Sequence, residues 1–575
     1  MKPRFFKGVL VTVAGWTLTI GVCGSLAAQV PVDQAQAEAA SEEFFSETVN
    51  VNVVNVEVYV TDKKGHPITG LTQDDFRVFE DKRPVAVTNF YVMEEGRSVG
   101  AEAAESPPEA PQVAVERSAP DASPSIPEQQ RLSLVLYIDN FNIRPFNRNR
   151  VLKRVRQFLA EHLDRDDRVM LVSYERTLTV RHPFTSDPRL ISSALFDLED
   201  NVGHAMTKDS DREEVLEAIV EADSLGEVEW RVRQYAETEY NDLSFTIDAM
   251  RELVGSLGGL PGRKAILYVS DGLAMKPGED LYHALLRKFS DSSVLSRSND
   301  YMAARRFNEL VARANSNRVS FYTIDAAGLR ISSSVSVTSR SGGGNFDTLV
   351  DSINFSNLQS TIRMMAEETG GFAIVNTNDP TSGLNRMAGD FNNYYSLGYP
   401  STASEDGRYH RIKVEVDRPG VKVRHREGYR GKSSFTRMAD GTTSTLLYGF
   451  ERNPMAVSLA VGTGNPGEGG HYVVPMEIRV PLDKVVLIPR SDFHHGRVKV
   501  YFSAMDETGG MSDVQEMPVD IRIPSDELED ALGRSWAHRV EVQMRVGNQR
   551  IGVGVRDEMG ATESFLARAV TIGSG

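Results

Sequence analysis

One polar loop of the chain carries residues that could bind a metal ion. Asp139 follows the apolar residues 135–138, and Asn140 and Asn142 come shortly after it. Carboxylate and amide oxygens are the ligands that Mg²⁺ and Ca²⁺ take in proteins, and the carboxyl ends of buried strands are where open α/β sheets bind ligands. The loop therefore predicts either a cation site or a carboxylate that only caps the end of a strand and the following helix.

The elements that would hold this loop alternate between strands and helices over residues 131–385. Apolar runs typical of strands buried on both faces are separated by segments with helical periodicity. The runs are LSLVLYID, DRVMLVSYE, GRKAILYVSDG, VSFYTIDAAGL and FAIV. This alternation predicts an α/β domain with a doubly wound, mostly parallel sheet. Residues 200–241 are charged but keep helical spacing, which predicts a helical insertion at the rim of the domain.

The segments on either side of this block are typical of β-structure. Residues 48–93 and 388–432 show alternating apolar positions with turn residues between them. Each supplies about three strands, too few to bury two faces alone. We therefore expect one shared β-sandwich with the α/β domain inserted in it, and two separate small β-units are the alternative. Residues 434–575 predict a C-terminal sandwich of immunoglobulin-like type, and residues 94–130, rich in Pro, Ala and Glu, a disordered linker.

The N-terminus has the pattern of an export signal. Three basic residues among the first seven precede an uncharged stretch over residues 8–30, and small residues lie just before Ala28. This order predicts a signal peptide over residues 1–27 and a secreted or periplasmic protein. The uncharged stretch is also long enough for an uncleaved N-terminal anchor. Cys23, the one cysteine of the chain, falls inside the signal, so the mature protein has no disulfide.

The charge balance of the chain argues against some classes of binding partner. With 64 Lys and Arg against 80 Asp and Glu, the formal net charge is −16. A strongly acidic protein is a poor ligand for phosphate backbones and for anionic membrane surfaces. We expect a protein or cell-envelope component as partner, no nucleic acid, and a membrane only if the N-terminal segment stays uncleaved.

Several stretches together resemble a known family. Strands ending in LYID and LYVSDG resemble those of a von Willebrand factor type A domain. Three further stretches resemble the VWFA-related secreted proteins of acidobacterial type; they are VTDKKGHPITGLTQDDFRVFEDKRP, FYTIDAAGL, and the segment from AEETGG through YYSLGYP to HREGYRG. The resemblance spans roughly residues 48–432. It implies the fold and export, but no settled activity.

The same resemblance implies a metal-dependent adhesion site, held in the family by an Asp-x-Ser-x-Ser motif, a Thr and a second Asp. Asp139 and Asp271 match the two carboxylates, and Ser244 falls at the Thr position. Phe141 and Ile143 stand where the two serines belong, so the site is degenerate.

Asn140 and Asn142 are the substitute oxygen donors of this expected site, for Mg²⁺ or another divalent cation. Two neighbouring carboxylates must otherwise be exposed to water or bridged by a basic side chain such as Arg144. The site is therefore expected to be metal-bound and weak, solvated, or bridged.

Two motifs of known enzymes do not occur in the sequence. RGKSS at residues 430–434 lacks the first Gly of a P-loop, and there is no His-Glu-x-x-His. We therefore expect no enzyme, but an exported binding or adhesion protein that uses the carboxyl-end loops of the α/β domain. A structural component of an envelope assembly is the alternative, and a hydrolase is a minority hypothesis.

Overall fold

The computed structural model describes residues 52–99, 131–163, 167–201, 203–330, 344–403 and 405–573. The predicted signal peptide, and the predicted linker beyond residue 99, lie outside these ranges. Within them, no helix is both long and apolar enough to cross a bilayer.

The elements are numbered in chain order. The strands are β1 (Asn52–Thr61), β2 (Phe76–Glu80), β3 (Arg83–Val85), β4 (Asn89–Glu94), β5 (Arg97–Val99), β6 (Leu132–Ile138), β7 (Arg168–Tyr174), β8 (Leu178–Thr185), β9 (Arg263–Ser270), β10 (Val319–Asp325), β11 (Ala373–Ile374), β12 (Tyr394–Ser401), β13 (Tyr409–Val416), β14 (Lys422–Arg424), β15 (Gly428–Arg430), β16 (Ser458–Val461), β17 (Asn465–Pro466), β18 (His471–Pro481), β19 (Ile488–Pro489), β20 (Phe493–Asp506), β21 (Gln515–Pro524), β22 (Ser535–Arg545), β23 (Gly547–Asp557) and β24 (Glu563–Ile572). The helices are α1 (Pro145–His162), α2 (Pro188–Asp197), α3 (Ala205–Glu221), α4 (Leu225–Ser256), α5 (Glu279–Phe289), α6 (Ser293–Ser298), α7 (Ala304–Ser316), α8 (Gly344–Glu368), α9 (Thr381–Asn392), α10 (Ser434–Tyr448) and α11 (Leu528–Leu532).

The α/β part of the chain is built on one six-stranded sheet. Its strand order is β11-β10-β9-β6-β7-β8, and only the edge strand β8 runs antiparallel to its neighbour. Every residue of β6 and β9 is buried, because helices cover both faces and leave two apolar cores, one on each side. This is the physical reason for the uninterrupted apolar runs in the sequence.

The segment predicted as a helical insertion is part of a longer element. Helix α4 runs unbroken for 32 residues, from inside the predicted insertion to its end at Ser256. Its first half packs Val228, Val232 and Ala236 on α5 and its neighbours. Its second half packs on the sheet. The expected insertion therefore does not end near residue 241, since a single apolar stripe continues along the whole length of α4.

Strands from two distant segments pair in the same two sheets. One sheet has the order β14-β1-β12-β4-β5 and the other β15-β13-β2-β3. Phe76 on β2 lies 5.1 Å from Tyr395 on β12, between ring centroids, in an apolar core shared by both segments. Strand β5 lies inside the predicted linker, so the linker boundary at residue 94 was placed too early; Gly96, with φ 72°, makes the turn from β4.

Residues 434–448, which the sequence analysis assigned to the C-terminal β-region, form helix α10. Ser433 begins the helix by accepting a 3.1 Å hydrogen bond on its Oγ from the Thr436 amide, and Gly449 ends it in a left-handed conformation. Met438, Thr442 and Leu446 lie on one buried side of it. Their spacing of four residues is helical, and this signal was missed.

Residues 53–451 form one compact unit, and residues 452–573 belong to a second. In the second unit, β18 pairs with β16, β17 and β22, while β20 pairs with β19, β21 and β23, and β23 with β24. All these pairs are antiparallel, and one apolar core contains residues from both sheets. The unit is β-rich, as the alternating apolar pattern predicts.

Candidate functional site

Asp139 is completely buried at the end of β6. Its carboxylate accepts hydrogen bonds from the Tyr268 hydroxyl, from the Asn142 amide at 3.1 Å and from Asn142 Nδ2 at 3.0 Å. Burial raises the pKa of Asp139, while the hydrogen bonds from Tyr268 and Asn142 oppose the rise. The carboxylate is therefore the internal anchor of the loop that follows the strand.

Asp271 follows β9, the parallel neighbour of β6, so both carboxylates lie at the same edge of the sheet. Its Oδ2 accepts from the Arg144 backbone amide and from Arg144 Nη1, each at 3.1 Å. Asn147 Nδ2 donates to both of its oxygens, at 3.1 and 3.0 Å. Burial raises the pKa of Asp271, and the charge of Arg144 counteracts this.

Arg144 joins two carboxylates. Its Nε and Nη2 donate to the two oxygens of Asp209, both at 2.7 Å, while Nη1 reaches Asp271. Arg330 adds a second guanidinium, which donates to the backbone oxygen of Asp271 at 2.6 Å and to Asp325 at 2.9 Å. A bidentate arginine–carboxylate pair is among the strongest charged contacts in proteins.

The two remaining candidate metal ligands, Asn140 and Ser244, form hydrogen bonds with other groups of the protein. The side chain of Asn140 donates to Glu175 at 2.9 Å and accepts from Arg148 at 3.3 Å. Ser244, on α4, donates to the Tyr240 carbonyl one turn earlier at 2.8 Å. The structure therefore places Asp139, Asn142 and Asp271 at one edge of the sheet, in the segments that follow β6 and β9, while the polar groups of Asn140 and Ser244 are engaged elsewhere.

These residues do not fit a divalent cation. Mg²⁺ and Ca²⁺ need several free oxygen ligands, but the carboxylates of Asp139 and Asp271 already accept hydrogen bonds from protein donors. Phe141 and Ile143 are buried and apolar. Over the described ranges, no group of three or more His, Cys, Asp or Glu side chains is placed to hold a metal.

A charged cleft of about 110 Å³ opens beside Asp271. Its lining includes Arg144 and groups from the segment predicted as an insertion. Lys208 donates to Asn142 Oδ1 at 3.0 Å and to Glu239 at 2.9 Å, and Arg212 binds Asp280 at 2.7 Å. These residues on α3 and α4 were missed, because their charges in the sequence are those of any solvated helix.

Large apolar side chains are exposed in segments that follow the carboxyl ends of the strands or adjoin lining residues in the sequence. Phe146, two residues after Arg144, is 76% exposed; Leu329, four residues after the end of β10, is 59% exposed; and Met206, which follows the lining residue Ala205, is 61% exposed. Arg150 links helix α1 to the segment after β10, since its Nη2 donates to the Ala326 carbonyl at 2.6 Å. Its Cζ lies 5.9 Å from the ring centroid of Phe146 on the same helix. The carboxyl edge thus combines paired charges with an exposed apolar rim.

Comparison with known proteins gives only weak similarities to solved structures. No family model and no curated protein matches the chain. Among solved structures, BatB from Bacteroides thetaiotaomicron is 14% identical with a TM-score of 0.22, over 45% of this chain and 96% of that one. A von Willebrand factor type A protein from Catenulispora acidiphila is 11% identical with a TM-score of 0.21, over 76% and 66%.

The PilB minor pilin from Streptococcus sanguinis is 11% identical with a TM-score of 0.23, over 47% of this chain and 62% of that one. Scores of this size carry no argument about function. The sheet itself, mostly parallel with Asp139 and Asp271 at the ends of neighbouring strands, has the form that the resemblance to a von Willebrand factor type A domain predicts.

Proposed function

We propose that this protein is an exported, non-enzymatic binding protein that docks a protein or cell-envelope partner on the carboxyl edge of its α/β sheet. The observation that carries the proposal is the exposed ring of Phe146, two residues after Arg144, which lines the charged cleft. An aromatic side chain left in water next to fixed charges is typical of an interface, where aromatic anchors supply affinity and the surrounding charges set orientation.

Export enters this proposal through the N-terminal pattern alone. The mature chain would begin at Ala28 and be secreted or periplasmic. The intact mass of the protein recovered outside the cytoplasm tests this: loss of residues 1–27 supports cleavage, and retention of Met1 supports an anchored form.

A structural role in an envelope assembly is the second candidate. It is favoured by the large share of β-sheet outside the α/β part, including the two-sheet unit over residues 452–573. We assign that unit to the immunoglobulin-like sandwiches, which would serve here as a spacer. Under this alternative, changes at the carboxyl edge leave assembly intact.

The test places a photo-crosslinking amino acid at position 146 of the exported protein in its own cells and identifies the captured partner. The affinity of that partner is then measured for Phe146→Ser. We expect a loss of about tenfold or more, typical of a buried anchor residue.

Phe435→Ser is the matched control, since Phe435 is also exposed, at 42%. It lies on α10, which packs on the turn before β9, at the opposite edge of the sheet. Equal affinity for wild type and Phe146→Ser would reject the carboxyl edge as the binding surface.

A further inference from the structure

The oxygens at the carboxyl edge that could hold a cation are already paired with protein groups. Asn142 and Tyr268 bind Asp139, Lys208 binds the amide oxygen of Asn142, and Arg144 binds Asp271. Two of these partners, Arg144 and Lys208, are basic side chains. They lie among the oxygen atoms that could otherwise bind a cation.

Of these two basic residues, Arg144 is the one that binds two carboxylates, whereas Lys208 binds one carboxylate and one amide oxygen. Three of its guanidinium nitrogens contact carboxylate oxygens of Asp209 and Asp271 at 2.7 to 3.1 Å, and its backbone amide also donates to Asp271. Two carboxylates held together repel each other unless a positive charge lies between them. A guanidinium supplies that charge at any physiological pH, because it does not lose its proton in proteins.

The fold also fixes the backbone at position 144. It is the last residue before α1, whose first residue is Pro145, and the loop before it is anchored by the buried Phe141 and Ile143. The side chain therefore starts from a fixed backbone. No further backbone entropy is therefore lost when the guanidinium binds its two carboxylates.

We infer that Arg144 is a built-in cation at the carboxyl edge, which neutralises Asp271 and Asp209 in place of a divalent metal. Resting on the proposed function, the inference extends to the partner: docking on this edge is independent of divalent cations. Because Arg144 is part of the chain itself, the charge at this edge stays the same at any concentration of divalent cations in the surroundings.

Thermal unfolding of the mature protein tests the built-in cation without a partner. Melting is followed with millimolar Mg²⁺, Ca²⁺ or Mn²⁺ and with EDTA, at matched ionic strength. The wild-type melting temperature is expected to be the same in all four. Arg144→Ala is expected to melt several degrees lower, and divalent cations, but not monovalent salt, are expected to restore part of the loss.

Arg156→Ala, on the helix that follows Arg144, is the matched control. It breaks the pair with Glu199, which leaves a single carboxylate, so its melting temperature is expected to fall without recovery in divalent cations. Arg144→Lys keeps one positive charge and is expected to fold and to stay insensitive to metal, which covers the case in which Arg144→Ala does not accumulate.

A wild-type melting temperature that rises with any of the three cations overturns the inference. So does an Arg144→Ala variant that divalent cations do not stabilise, or an Arg144→Lys variant that responds to them. For the partner, unchanged affinity in EDTA supports cation independence, and a loss of affinity overturns it. Failure to capture any partner refutes the proposed function alone, because the melting experiment stands without one.

Discussion

Asp139 lies at the position where the sequence raised the question of a metal. Its carboxylate is buried and accepts from Tyr268 and Asn142. Removing this carboxylate leaves the Tyr268 hydroxyl and the Asn142 amide groups without their acceptor. The free-energy penalty for such groups comes from lost hydration, and it does not depend on any bound ion.

Asp139→Ala is therefore expected to lower the free energy of unfolding by about 2 to 4 kcal/mol. Ser244→Ala serves as the comparison, because the Ser244 hydroxyl bonds only its own helix; its effect should stay within about 0.5 kcal/mol. Urea unfolding of both variants, with and without EDTA, provides the measurement. A large EDTA effect on the wild type would instead make Asp139 a metal ligand.

His410 gives the first unit a residue that responds to pH. Its Nδ1 lies 2.8 Å from Asp81 and its Nε2 lies 3.0 Å from Asp406. Since both ring nitrogens face carboxylate oxygens, both can donate only when the ring is protonated to an imidazolium. Burial lowers the pKa of His410, but the hydrogen bonds and charges of Asp406 and Asp81 outweigh burial and raise it above 6.5.

The raised pKa determines the sign of the pH effect. The stability that His410 contributes is fully present below 6.5, its ordinary pKa, and is lost as the pH rises through the higher folded-state value. The unfolding free energy of wild type and His410→Gln should therefore differ most, by about 1 to 3 kcal/mol, at mildly acidic pH and converge at alkaline pH. A difference that grows with pH would contradict this.

At the scale of elements, the strands β1–β4 and β12–β14 depend on each other although they come from opposite ends of the first unit. Phe76 packs on Tyr395. The Tyr395 hydroxyl also accepts from the Leu71 amide at 3.2 Å and donates to the Ile68 carbonyl at 2.9 Å. Contacts of this kind join the two segments into one folding unit.

A double-mutant cycle measures that dependence. Phe76→Leu and Tyr395→Leu are expected to show a coupling of about 0.5 to 1.5 kcal/mol, because each removes a partner of the other. Phe76→Leu combined with Phe307→Leu, which lies in the core beneath the α/β sheet, should be additive. Additivity in both cycles would mean that the two segments fold as separate β-units.

At the scale of the whole molecule, the chain contains two compact units, each with its own apolar core. The core of the second unit is made of residues after Arg452. Its first segment is also attached within the unit, since the Arg452 and Phe565 backbones exchange hydrogen bonds at 3.1 and 2.6 Å. Both partners of these contacts therefore lie within residues 452–575.

We expect the fragment 452–575 to fold by itself and to unfold in one cooperative transition. Circular dichroism during urea unfolding is the measurement. Val500→Asp, which buries a charge in the centre of the core, should abolish the transition. A fragment without a cooperative transition would show that this unit needs the rest of the chain.

Much of the α/β part could be predicted from the sequence, because a strand covered on both faces must be apolar at nearly every position. Strands β6, β7, β9 and β10 follow from this rule, and the carboxylates after β6 and β9 could be placed at one edge. Strand β8 was missed, because it is the exposed edge strand and lacks an uninterrupted apolar run.

The sequence by itself determined the buried strands of the α/β part and the positions of Asp139 and Asp271 at strand ends, since periodicity and strand ends are local properties. Only the tertiary structure decided what those carboxylates bind. Arg144 meets Asp209 across 65 residues and Asp271 across 127, and Lys208 meets Asn142 across 66. Ion pairs between distant residues leave no periodic trace in a sequence, because a charged side chain on a helix has the same local pattern in solvent as in a cleft.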